Sequence, residues 1–139
     1  MIKGKKISEL NVGDIYTKEL ILTEEAVKLF GEATGDKNPI HFDENYAANT
    51  GFKKRIVHGV LLLGVISGVL GMEFPGPGCI AREIKAKFVR PVFIGDKIKI
   101  EIIISKTTPK LNLVIINYKI YNSENEIVIK GEVEILAPI

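Results

Sequence analysis

Between Gly59 and Gly71 the apolar positions leave no polar stripe. Val60, Leu61, Leu62, Leu63, Val65, Ile66, Val69 and Leu70 would face every side of a helix. A helix that is apolar all round belongs in a core or in a membrane. This one is too short to span, since a bilayer needs about 20 apolar residues. It predicts a central helix wrapped by the rest of the chain. Gly64 and Gly68 lie four apart within it. In a membrane that spacing favours dimerisation; here it predicts close packing against a sheet. Upstream, Ile15 to Leu20 reads as a short strand entered by the Gly13-Asp14 turn. Thr23 is a good N-cap, and Glu24 and Glu25 suit the positive end of a helix. Ala26, Leu29, Phe30 and Ala33 then give one apolar helical face, with Gly35 as its stop. A polar loop, GDKNPIHFD, follows. Asp43 caps a second short helix that runs to about Thr50 and ends at Gly51.

After the turn-rich EFPGPG segment the period changes to two. Ile80, Ile84, Ala86 and Phe88 share a face opposite Glu83, Lys85 and Lys87. Ile98, Ile100, Ile102 and Ile104 oppose Lys97, Lys99 and Glu101. Thr108-Pro109-Lys110 turns the chain into Leu111 to Tyr121, and Asn122 to Asn125 turns it into Glu126 to Leu136. Short connections between long alternating strands predict antiparallel pairing. The fold class is therefore α+β: helices first, then a meander whose apolar face covers the central helix.

Composition narrows the function classes. At 139 residues the chain is long enough for one domain, residues 1–139, with a proper core. A net charge of +2, with dispersed lysines, argues against nucleic acid or a membrane surface as partner. Cys79 is the sole cysteine, so there is no disulfide framework and no thiolate metal site. The N-terminus MIKGKKISEL lacks the apolar region of a signal peptide. A reduced cytoplasmic location fits both observations.

Three features can carry chemistry. Asp36 and His41 share one short loop, and a carboxylate beside an imidazole can hold a water and move protons near neutral pH. Asn38 and Pro39 would stiffen that loop. The same residue types also build ordinary turns. Gly59 opens the central helix, where free N–H groups could hold a carbonyl oxygen that gains charge, or where glycine simply lets the chain turn. Ser67 is the one hydroxyl in that helix, and a serine there commonly bonds the i−4 carbonyl. His58 could satisfy backbone groups only. Lys53-Lys54-Arg55 reads as solvated surface near the site.

The segment TGDKNPIHFDENYAANTGFKKRIVHGVLLLGVISGVLG resembles the hydratase motif of the MaoC-like enzymes, the R-specific 2-enoyl-CoA hydratases. Gly-Asp, Asn-Pro, His-x-Asp, an alanine-containing helix, Gly-Phe and Ile-Val-His-Gly follow in order over about a quarter of the chain. The resemblance implies a hot-dog fold, a bent antiparallel sheet around the central helix. It implies a homodimer, or a dimer-based oligomer, that binds acyl-CoA near the subunit interface. It implies reversible syn hydration of a trans-2-enoyl-CoA to an (R)-3-hydroxyacyl-CoA, in fatty acid or polyhydroxyalkanoate-type metabolism. Asp36 and His41 match the catalytic pair, Gly59 the donor to the thioester oxygen, and Ser67 an active-site serine of some members. Leu70 is expected to shape the acyl tunnel. No metal or other cofactor is expected, since coenzyme A comes with the substrate. The rival readings are an acyl carrier protein dehydratase, a hot-dog thioesterase and a non-catalytic acyl-CoA-binding module. Such thioesterases commonly carry an acid on or beside the central helix, where this chain has none between Val60 and Met72.

Overall fold

The computed structural model describes residues 2–139. Five strands form one antiparallel sheet in the order β1-β3-β4-β5-β2. They are β1 (Ile15–Ile21), β2 (Ile80–Phe88), β3 (Lys97–Thr108), β4 (Leu113–Tyr121) and β5 (Ile127–Leu136). Between β1 and β2 come α1 (Glu24–Thr34), α2 (Pro39–Phe42), α3 (Glu44–Ala48) and α4 (Gly59–Met72). The period-two reading holds where it matters most. Ile98, Ile100, Ile102 and Ile104 of β3 are buried, as are Val114, Ile116, Tyr118 and Ile120 of β4. Leu62, Ile66, Val69 and Leu70 of α4 are buried in the same core cluster, at helical spacing. Each such side chain contributes about 1.5–3 kcal/mol relative to leaving it exposed. One antiparallel sheet packed on a long apolar helix is the hot-dog arrangement.

Three expectations need correcting. The sheet wraps α4 from one side, as the hot-dog arrangement implies, and the other side of the helix is open. Val60 and Met72 are 61% and 69% exposed, and a Cβ built on Gly64 or Gly68 meets nothing within 4 Å. Those glycines face outward, so they do not pack against the sheet. The strands are not a simple meander either. Only β3, β4 and β5 follow one another; β2 pairs with β5 at the far edge. Its apolar face meets α4 at one end, where Phe88 lies against Gly59. All nine residues of β2 are exposed, including Ile80, Ile84 and Phe88. Finally, the polar loop contains a helix of its own, α2. Asn38 accepts from the Ile40 N–H and Pro39 sits in its first turn, a helix start made from residues that also make turns. The remaining boundaries move by a few residues, with α3 ending at Ala48 and β4 starting at Leu113.

Candidate active site

The site is assembled by a chain of local bonds at the end of α1. Gly35 adopts the left-handed conformation, φ 79°, that closes the helix and reverses the chain. The Thr34 hydroxyl accepts from the Asp36 N–H at 3.2 Å, and Asp36 Oδ1 accepts from the Asn38 N–H at 3.3 Å. Asn38 in turn caps α2, which carries His41. Asp43 caps α3 through the Tyr46 N–H at 2.9 Å. Each polar residue of the loop thus fixes the backbone that holds the next.

His41 is 8% exposed. Its Nδ1 lies 2.7 Å from the carbonyl oxygen of Ile56, which can only accept, so Nδ1 carries the proton. Nε2 is left as a bare acceptor. Burial holds the His41 pKa below the ordinary imidazole range. The Ile56 carbonyl and Asp36 oppose that shift, while His58 adds to it. His41 is therefore a neutral base at pH 7. One ligating atom each from Asp36, His41 and His58 lie within 4.8 Å of one another. Asp36 is exposed and His41 buried, so the carboxylate faces solvent while the base is sheltered.

Could the three hold a metal? The His41 and His58 rings are stacked, with centroids 3.8 Å apart and planes 30° from parallel. Their lone pairs lie in near-parallel planes. An ion at a Zn–N distance of about 2.0–2.1 Å can lie in the plane of one ring but not of both. The cluster fits proton transfer better than coordination.

Gly59 opens α4, and its N–H has no partner within the described chain, as the first turn of a helix requires. A Cβ at Gly59 would lie 2.6 Å from the Phe88 ring, so the position is crowded as well as free of capping. Beside it opens an apolar cavity of about 410 Å³, lined among others by Ile56, Val60, Leu62, Phe88 and Val92. Arg90 lies at its wall. The structure thus brings Asp36 and His41 together and places Gly59 at the cavity. Ser67 is exposed on α4 and Leu70 is 2% exposed in the core; neither lines this cavity.

Two residues did more than the sequence reading gave them. Arg55 is not surface: its side chain is 11% exposed. Its Nε donates to the His41 carbonyl at 2.8 Å, and its guanidinium pairs with Glu24 of α1 at 2.7 Å and Glu44 of α3 at 3.4 Å. One cation ties three elements around His41. Lys53 and Lys54 are exposed as expected. His58 is 2% exposed and is stacked on His41. A cation or imidazole just before an apolar helix, in a chain with few of either so placed, was the available signal.

The family model for a MaoC like domain matches residues 12–124. A 3-hydroxybutyryl-CoA dehydratase from Methylorubrum extorquens is 39% identical over 102 residues, which is 73% of this chain and 64% of that protein. An (R)-specific enoyl-CoA hydratase from Rhodospirillum rubrum is 37% identical over 84% of this chain and 81% of that protein. The solved R-hydratase of Pseudomonas aeruginosa superposes with a TM-score of 0.92 at 37% identity, covering 99% of this chain and 88% of that one. With the motif, the fold and these matches in agreement, the chain belongs to the MaoC-like domain family.

Proposed function

We propose that the chain is an R-specific enoyl-CoA hydratase that adds water reversibly to a trans-2-enoyl-CoA. The observation that carries this reading is the convergence of Asp36 and His41, with Nε2 of His41 bare and its Nδ1 proton fixed by Ile56. The pair holds a water over C3 of the enoyl group. Its hydroxide adds to C3 while the pair takes one proton and returns one to C2 on the same face, giving the (R)-3-hydroxyacyl thioester. In between, charge builds on the thioester oxygen. The Gly59 N–H and the positive end of α4 stabilise it there. The apolar cavity beside Gly59 takes the acyl chain, and Leu70 and Ser67 do not line it. No metal or redox group is needed for this addition. Cys79, with its thiol pushed up to about 11 by burial, takes no part.

The enzyme works as a homodimer in the cytoplasm. The open apolar side of α4 and the exposed strand β2, with its unpaired backbone edge, support a second copy seated there. Among the described residues no helix is long and apolar enough to cross a membrane.

The test is hydration of crotonyl-CoA, followed by loss of enoyl-thioester absorbance, with the product passed to a dehydrogenase specific for the R alcohol. Rapid loss and an R product establish the reading. An S product, or release of free CoA, overturns it. Sedimentation reads the assembly, and a mass of only 15.4 kDa would dismiss the dimer.

A further inference from the structure

His58 sits in a box of rings. His41 is stacked on it at 3.8 Å, Phe30 of α1 lies 4.7 Å away and Phe42 of α2 lies 5.6 Å away, centroid to centroid. A phenylalanine would suit such a box. An imidazole is expensive there, because its Nδ1 is buried with no hydrogen-bond partner among the described residues. Nor does the ring cap its own helix: His58 is the N-cap residue of α4 and makes no side-chain capping bond. What the imidazole does that a phenyl ring cannot is donate. Its Nε2 lies 3.0 Å from the backbone carbonyl oxygen of Asp36, which has no proton to give. The proton is therefore on Nε2, and the unpartnered Nδ1 carries the lone pair.

We infer that His58 is a positioning residue for both halves of the catalytic pair: its Nε2–H pins the Asp36 backbone, and its ring face sets the plane of His41. This rests on the hydratase reading of the site. The geometry shows why two anchors are needed. Asp36 follows a left-handed glycine, on an exposed stretch from Thr34 to Pro39 whose other bonds are all local. The His58 bond spans 22 residues and is, among the described residues, the one long-range hydrogen bond on Asp36. On the other side, the Ile56 carbonyl fixes only one atom of the His41 ring, which could still turn about that bond. The stacked His58 face removes that freedom. Both constraints come from one side chain, so the carboxylate and Nε2 are held relative to each other rather than each to the scaffold.

The experiment compares His58→Phe with His58→Gln in the full-length protein. Phenylalanine keeps the flat face and loses the donor. Glutamine places an amide N–H near the Nε2 position and loses the ring. Tm and sedimentation first establish that each is folded. With crotonyl-CoA, His58→Phe is expected to lose about 10- to 100-fold in kcat with KM changed less than about threefold, the signature of a misplaced reacting group. His58→Gln, which keeps the donor but loses the ring face, is expected to lose a factor in the same range, on the same positioning logic. A folded His58→Phe variant with wild-type kcat overturns the inference for the Asp36 bond. A folded His58→Gln variant with wild-type kcat overturns it for the ring face. A second measurement needs no variant: the ¹⁵N shifts of His58 in the wild-type protein report its tautomer. The Nε2–H form with a slowly exchanging proton is expected, and the Nδ1–H form overturns the assignment. Should the wild type itself fail to hydrate any enoyl-CoA, the hydratase reading falls. The tautomer then still decides whether His58 holds Asp36.

Discussion

Each end of α4 carries a carboxylate with polar company, and the two ends differ in what is left unsatisfied. At the C-terminal end, Glu73 receives the Tyr16 hydroxyl on one oxygen and the Lys18 ammonium on the other. Lys18 first, then Tyr16, hold its carboxyl below the usual range. Tyr16 also lies flat over Phe74, 5.7 Å away. Every strong acceptor there is taken, and the cluster fastens β1 to the helix end. At the N-terminal end, Asp36 uses one oxygen for a local turn, His41 keeps Nε2 bare, and the Gly59 N–H has no partner. Saturated polar groups hold a fold together. Unsaturated ones, fixed in place by bonds made through their other atoms, are available to a substrate. Glu73, engaged by Tyr16 and Lys18 at the far end of α4, is not a free acid of the kind a thioesterase needs.

The sharpest test of that contrast is to neutralise each acid in turn. Asp36→Asn is expected to lower kcat for crotonyl-CoA by about 10²–10⁴, the usual contribution of a positioned acid or base. Tm should stay close to wild type, because only the 3.3 Å turn bond is weakened and an amide oxygen can still accept it. His41→Gln should fall in the same range, measured in the same assay. A Asp36→Asn protein with more than a tenth of wild-type kcat would place the chemistry elsewhere.

The free N–H at Gly59 is next. Gly59→Ala keeps the donor but puts a methyl against Phe88, whereas Gly59→Pro adds similar bulk and removes the N–H. His58 already has ψ 126°, which suits a following proline, and the first helical position tolerates one. The ratio of the two variants therefore isolates the donor. Gly59→Pro should fall below Gly59→Ala by about 10²–10³ in kcat. Equal rates would mean that the charge on the thioester oxygen is met by another group.

A smaller effect comes from pH. Burial lowers the His41 pKa in the folded protein, while the unfolded chain has the ordinary value of about 6.5. The neutral base therefore survives below pH 6.5, and the acid limb of kcat/KM should have its midpoint on the acidic side of that value. For stability the sign follows from proton uptake. Between the two pKa values the unfolded chain binds more protons, so the His41 contribution is complete above about pH 6.5 and is lost as pH falls through the folded value. A rate midpoint above 6.5 would mean that Asp36, not burial, governs the ring.

How much of this was legible beforehand depended on whether the cause was local. The Asp36–His41 pairing was legible through the resemblance of the Gly-Asp, Asn-Pro and His-x-Asp motif, since the spacing alone also fits an ordinary turn; the structure builds it from caps and turns within eight residues. The strand α-and-β order and the buried face of β3 followed from periodicity. What failed was non-local. β2 alternates like a half-buried strand yet all nine of its residues are exposed, and nothing within Ile80 to Phe88 encodes that β5 is its one strand neighbour among the described residues. The outward set of Gly64 and Gly68 was hidden because an all-apolar helix has no stripe to mark its covered side. Arg55 reads as surface beside its two lysine neighbours, whereas its partners Glu24 and Glu44 lie 31 and 11 residues away. For His58 the expected bond to a backbone group holds, through the Asp36 carbonyl; what a local cue could not show is that this backbone belongs to the candidate site and that three rings enclose the imidazole.

The smallest expected effect belongs to the saturated end. Glu73→Gln removes the charge that Lys18 and Tyr16 share but leaves an oxygen for one of them. The Lys18 and Glu73 side chains are 39% and 27% exposed, so solvent screens much of the pair. Surface pairs of this kind contribute about 0.2–1 kcal/mol, and the Tyr16–Phe74 stack remains to hold β1. The expected outcome is a stability loss within that range by urea unfolding, fading as salt is raised, with kcat for crotonyl-CoA within about twofold of wild type, since a surface pair has no lever on the barrier. A loss of rate without loss of stability would be the informative surprise. It would mean that the C-terminal end of α4 reaches the reacting atoms, and that satisfied hydrogen bonds are not what separates the two ends of this helix.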